Sequence, residues 1–201
     1  MKTSIQILVL IICFAVHFQA HSQDISASLS DAKSSYSSGS LDDARFALEQ
    51  ALQQIDQAIG KEILKILPTN LSGMEFLEQE DNVVGTNLGF AGLFVDRNYG
   101  QGEKSASIDI IGDSPLMAGL NAMLALPAIM TQGDGDQKRI KVDGYKSLLQ
   151  KETSSEGAVS YTVQIPANST LISLNVNGYT ENEVISMANN IPVAQIVKLA
   201  Q

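Results

Sequence analysis

Asp109 and Asp113, with Asp96 and Glu103 close by in the chain, are the residues whose type best suits chemistry, because two converging carboxylates can divide the acid and base roles of a hydrolysis. Strand parity weakens the simplest version. On an extended segment Asp109 shares a face with Ser107 and points away from Ile108 and Ile110, as on a solvated side. Ser30-Asp31-Ala32-Lys33 holds a Ser-x-x-Lys pair, in which a lysine can activate a serine nucleophile. The Lys-Thr-Gly element that accompanies such pairs is missing, and a solvated helical turn is the simpler reading. Gly133-Asp134-Gly135-Asp136 has the start of a calcium loop, but that loop needs further oxygen ligands and a glutamate at its twelfth position. Lys138 stands where the third acidic ligand belongs, so a surface turn is expected.

The residue types that are scarce exclude more than the motifs suggest. The chain has 2 His, 1 Cys and no Trp, and His17, His21 and Cys13 all fall in the first 22 residues. That stretch has the three parts of a secretory signal. Lys2 gives the positive start, Ile5 to Phe18 form an apolar run broken by Gln6 and His17, and Ala20-His21-Ser22 offers small residues for a peptidase. Cleavage before Gln23 is expected, with cleavage after Ala20 as the second choice and an uncleaved N-terminal anchor as the alternative. Cys13 lies mid-run without a small residue before it, which disfavours a lipid attachment. Loss of residues 1–22 would leave no imidazole base, no thiolate and no His/Cys metal cage. No catalytic residue, cofactor or metal is therefore expected, and the protein is read as secreted or periplasmic. Asn70-Leu71-Ser72 and Asn168-Ser169-Thr170 are glycosylation sequons, meaningful only in a host that glycosylates exported asparagines.

Charge narrows the partners. With 13 Lys and Arg against 22 Asp and Glu the formal net charge is −9, and a leader that takes Lys2 with it makes the remainder more acidic still. A polyanion would be repelled, and no basic cluster exceeds Lys138-Arg139 with Lys141, so nucleic acid is not an expected partner. Another envelope protein is. No stable membrane span is expected once the leader is gone, and the oligomeric state is open.

The elements that must position these residues change character at Pro68. Up to Leu67 the period is helical: Ala32, Tyr36, Gly39, Leu41, Ala44, Leu48, Ala51, Leu52, Ile55, Ile59, Ile63 and Leu67 recur mostly every three or four residues. Gly39 ends one helix, Ser40 caps the next with Asp42 and Asp43 in its first turn, and Pro68 stops it. A helical hairpin over residues 23–67 is expected. Ala32, Tyr36, Gly39, Leu41, Ala44, Leu48 and Ala51-Leu52 give it a pattern that resembles one tetratricopeptide-type unit. No second copy follows, so a stacked solenoid is not expected, and the hairpin is read as docking on the following domain or on another subunit.

After Pro68 apolar and polar residues alternate. Met74–Leu77, Phe90–Tyr99, Ser105–Ile111, Arg139–Asp143, Tyr145–Lys151, Ala158–Ile165 and Thr170–Val176 read as strands, joined by turns at Tyr99-Gly100-Gln101-Gly102, Asp143-Gly144 and Pro166-Ala167-Asn168. Ser114-Pro115 starts one helix, Thr180 with Glu183 forms a capping box for another ending at Asn189, and Val193 to Leu199 makes the last. The fold class is α+β, an antiparallel sheet with flanking helices after the hairpin. Leu67-Pro68, Gly73-Met74, Arg97-Asn98-Tyr99, Ile110-Ile111-Gly112-Asp113-Ser114-Pro115, Val142-Asp143-Gly144-Tyr145 and Asn177-Gly178-Tyr179 give residues 68–201 a layout that resembles the PsbP-like α/β sandwich. That resemblance implies an accessory, assembly or binding role, and it carries over no functional residue.

One segment stands out as a candidate surface. Leu116, Met117, Leu120, Met123, Leu124, Leu126, Ile129 and Met130 leave a helix over 115–130 almost no polar side, with Asn121 the exception. Such a helix must be covered on more than one side. It is either core or a methionine-bearing surface for a partner or an apolar ligand, carried by Leu116, Met117, Leu120, Met123, Leu124 and Met130. The expected function is a non-enzymatic exported accessory or protein-interaction role. The alternative is a carrier of a small apolar ligand using that helix as a pocket wall, and a carboxylate enzyme ranks third.

Overall fold

The computed structural model describes residues 23–85, 92–125 and 136–200, so the leader, Met130 and residues 133–135 lie outside what is described below. The chain divides into two compact units between Ile55 and Asp56. Unit one is a helical hairpin of α1 (Gln23–Ser37) and the first part of α2 (Leu41–Ile66). Gly39, at φ +85°, makes the left-handed step that a side chain resists, and the Ala44 amide bonds back to the Ser40 carbonyl to open α2. α2 ends at Ile66 before Pro68, as the sequence demands. Its last turns belong to unit two because Ile59, Ile63, Leu64 and Ile66 pack into the core there.

Unit two is built on a seven-stranded sheet. After a minimal pair, β1 (Asn70–Leu71) and β2 (Met74–Glu75), and one 3-10 turn (Glu78–Glu80), come β3 (Asn82–Gly85), β4 (Leu93–Gln101), β5 (Lys104–Gly112), α3 (Met117–Ala125), β6 (Gln137–Val142), β7 (Tyr145–Thr153), β8 (Val159–Ala167), β9 (Thr170–Asn177), α4 (Glu181–Asn189) and α5 (Val193–Leu199). The strand order is β3-β4-β5-β9-β8-β7-β6, and every neighbouring pair is antiparallel. Two-residue turns fix the register: Asp143 at φ +49° and Gly144 at φ +83° close β6 to β7 in the paired left-handed geometry that suits sheet twist. The fold is α+β, with helices flanking the sheet.

Alternation sorts the sheet into two faces. Across β5, β9, β8 and β7 the paired residues Ile108, Leu174, Val163 and Leu149 form one apolar row, all buried. α4 and α5 cover that face through Val184, Met187, Ala188, Val193, Ile196 and Val197. One residue on, Asp96, Asp109, Ser173 and Gln164 form the facing row of the opposite side. A capping box starts α4, the Glu183 carboxylate accepting the Thr180 amide at 2.8 Å and the Thr180 hydroxyl at 2.7 Å. These hydrogen bonds hold the Glu183 carboxyl below the usual glutamate range. Gly178 leads into it at φ +76°, where an added Cβ would stand 2.3 Å from the Glu103 carbonyl oxygen, so no other residue fits.

Candidate functional site

The acids of the sheet meet, though in other pairs than their spacing suggests. β4 and β5 turn at Gly102-Glu103, which sets Asp96 opposite Asp109 on the polar face. Asp109 and Asp113, four residues apart, would be separated by about 13 Å along an extended strand. Asp113 instead follows the end of β5 at φ +51°, and its carboxylate and that of Asp56 each lie 3.6 Å from where a side chain on Gly92 would begin. Burial raises the Asp56 carboxyl pKa, and the like charge of Asp113 adds to the rise. Glu103 joins neither pair.

Around Asp109 the polar face is a connected network. The Asn175 amide donates to Asp109 Oδ2 at 2.7 Å and to Ser107 Oγ at 3.1 Å, while Thr162 Oγ1 donates to Asn175 Oδ1 at 3.0 Å. Asn98 donates to Asp96 Oδ2 at 3.2 Å. Burial pushes the Asp109 carboxyl up to about 6, and hydrogen bonding and charge repulsion from Asp96 push the same way; Ser107 and Asn175 pull it back. Asp109 therefore takes up a proton as pH falls through about 6. Beside it an open concavity of about 390 Å³ is lined by polar side chains that include Asn98, Ser105, Ser107, Asn175 and Asn177.

The raised pKa has a definite sign in stability. The folded protein binds the Asp109 proton more tightly than the unfolded chain, whose aspartates titrate near about pH 4. Its stabilising contribution is thus full below about pH 4 and lost as pH rises through about 6. Thermal unfolding should show Asp109→Asn gaining on the original protein as pH climbs across that window. An unchanged gap between the two curves from pH 4 to 7 would remove Asp109 as the titrating group.

Arg97, named in the sequence only as part of the Arg97-Asn98-Tyr99 strand, is among the described residues the one arginine built into the apolar face. It sits opposite Ile108, is 5 % exposed, and its Nε donates to Asp81 Oδ1 at 2.9 Å while Nη2 donates to the other carboxylate oxygen. Nη1 reaches the Leu67 carbonyl at 3.3 Å, and the guanidinium lies 4.4 Å from the Phe76 ring centre. Next to it the Tyr99 hydroxyl donates to the Pro68 carbonyl at 2.8 Å. Burial raises the phenol pKa so that it stays a donor. Together these bonds tie the segment after Pro68 to β4.

The methionine-bearing segment lies on the polar side of the sheet, at its apolar end. α3 buries Leu120 and Leu124 against Leu148 and Leu171, with Met117 and Met123 half-buried beside them. Arg139 donates to the Met123 carbonyl at 2.8 Å, a cation at the last turn where the helix dipole favours it. Leu116 precedes the helix and is exposed. The helix is described over Met117–Ala125, beginning two residues after the expected start, and the rest of the expected 115–130 span, Leu126, Ile129 and Met130 included, lies outside the described residues. Two shallow concavities, of about 310 and 380 Å³, touch Leu124.

The largest apolar exposure lies elsewhere. Among the described residues nine large apolar side chains are exposed, and seven of them are in unit one: Leu29, Tyr36, Leu41, Phe46, Leu48, Leu52 and Ile55. The hairpin explains why. α1 and α2 meet through small residues, with Ser28, Ala32, Ala44, Ala47 and Ala51 buried and Ser28 Oγ donating to Gln54 Oε1 at 3.4 Å. At 3.6 residues per turn Leu29 and Tyr36 sit about 80° around α1 from that seam, and Leu41, Leu48, Leu52 and Ile55 about 80° around α2 in the same rotational sense. In an antiparallel pair that sense carries both rows to one broad side. Tyr36 is 71 % and Leu52 61 % exposed, so this side is open. Phe46 projects from the other side of α2.

Ser30 and Lys33 are exposed positions on α1, and Asp136 is the one described residue of the acidic glycine loop. Among the described residues no group of three or more His, Cys, Asp or Glu is placed to hold a metal, and no helix is long and apolar enough to cross a membrane. No protein-family model, no curated protein and no solved structure matches the chain.

Proposed function

We propose that this chain is a non-enzymatic, exported accessory protein of the cell envelope that binds another protein through the open side of its N-terminal hairpin. The observation that carries the reading is the row Leu29, Tyr36, Leu41, Leu48, Leu52 and Ile55, large apolar side chains gathered on one surface and left uncovered. Contiguous apolar surface of that kind on a folded protein marks a place of association. Small residues are buried in the seam and the large ones are left exposed, the reverse of what a lone stable hairpin would bury. The leader-like first 22 residues support export, and the order of elements supports the PsbP-like and tetratricopeptide-like layouts as working analogies only.

Exchanging Leu48 and Leu52 for serine tests the reading. Both side chains are exposed, so the variant should stay folded, with helix content unchanged by circular dichroism. Co-isolation of a partner from chemically crosslinked envelopes should be lost. Undiminished recovery of the same partner would contradict the proposal.

A second reading rests on Asp109, whose carboxyl, with a pKa of about 6, lies beside Asp96 and a polar concavity and so could serve acid–base chemistry. Its amides and hydroxyls are largely bonded to one another, which favours a structural network. The apolar-carrier reading has less support, because Leu120 and Leu124 are spent on Leu148 and Leu171.

A further inference from the structure

We infer that the occupant of the open hairpin side is a second copy of this chain, so that two hairpins close face to face into a four-helix arrangement. The inference rests on the docking role proposed above and names its partner. Three observations lead to it. The first is area: Leu29, Tyr36, Leu41, Leu48, Leu52 and Ile55, exposed by 38 to 71 %, present on the order of 600 Å² of side-chain surface, beyond an incidental patch and near the roughly 800 Å² that each partner gives a standard interface.

The second is shape. Two helices form a single layer with one uncovered apolar side, and the smallest closed structure that covers it is another two-helix layer. A twofold axis supplies that layer from the same sequence, each row meeting a row of the same composition. The third is charge. The chain is acidic at −9, so copies repel one another wherever carboxylates face. Within the hairpin the rows themselves hold no carboxylate, and cations stand beside the acids at their margins, Lys33 on α1 and Arg45 on α2, the latter paired with Glu49 at 3.0 Å. The apolar rows are thus the part of this acidic chain where two copies can approach with the fewest carboxylates between them.

Sedimentation equilibrium of the purified exported chain tests it, together with a photocrosslinking side chain at Leu52 in the native envelope. The expected mass is that of two chains across the micromolar range, and Leu48→Glu with Leu52→Glu should halve it while helix content stays unchanged by circular dichroism. If that variant loses helix, Leu29→Ser with Tyr36→Ser, confined to α1, must give the same halving. A crosslink at Leu52 should join two copies. A monomer at all concentrations whose Leu52 crosslinks to a different protein would overturn the dimer and leave the docking role intact. A monomer that crosslinks to nothing would overturn both.

Discussion

Replacing Arg97 by alanine should destabilise the sheet unit by about 3–5 kcal/mol, the range measured when one partner of a buried ion pair is removed. The size follows from what the substitution strands. Asp81 is only 13 % exposed in its side chain and loses both guanidinium bonds, so its charge is left with poor solvation. The Leu67 carbonyl loses a donor and the Phe76 ring loses the cation above it. Taking out both charges tells a different story, because no charge is left uncompensated. Arg97→Met with Asp81→Leu should therefore recover most of the loss in urea denaturation. If the single and double variants were equally unstable, the pair would owe its importance to packing alone.

Leu174→Ala should cost a similar amount, about 2–5 kcal/mol, through an unrelated mechanism. Leu174 lies on β9, the middle strand of the sheet, paired with Ile108 on one side and Val163 on the other, and is fully buried. Its neighbours are fixed in register by strands on both sides, so they can relax little into the space left behind. The lost burial and the cavity add together. A loss below about 1 kcal/mol in denaturant unfolding, the size expected of a collapsible site, would mean that this row is not the rigid centre described.

Much of the architecture could be read from residue order because it depends on local chemistry. Val159, Tyr161, Val163 and Ile165 alternate with polar residues and do line the buried face of β8. Thr180 with Glu183 starts α4, and Val193 to Leu199 is α5. β3 was not legible, since Asn82–Gly85 offers only Val83 as a half-buried side chain on an edge strand. The acid pair was half legible. Parity put Asp109 with Ser107, but its partner depends on register, and a turn at Tyr99–Gly102 in place of Gly102-Glu103 would have set Asp96 opposite Ser105.

The hairpin shows a different limit. Small and large residues on α1 and α2 share one helical period, so spacing reveals a stripe without saying which part of it meets the neighbouring helix. The structure gives the seam to Ala32, Ala44 and Ala51 and leaves Tyr36, Leu48 and Leu52 outside. Similarly, the methionine-bearing segment was legible as apolar, while its position on the polar side of the sheet comes from Leu148 and Leu171, which interrupt that side with a greasy end.

The most direct test is a photocrosslinking scan in the native envelope, with the reactive side chain placed singly at Tyr36, Leu48 and Leu52 and, as controls, at Thr162 and Gln164 on the polar sheet face. The account predicts protein adducts from the three hairpin positions and none from the two sheet positions. Adducts from the sheet positions with an unreactive hairpin would contradict it.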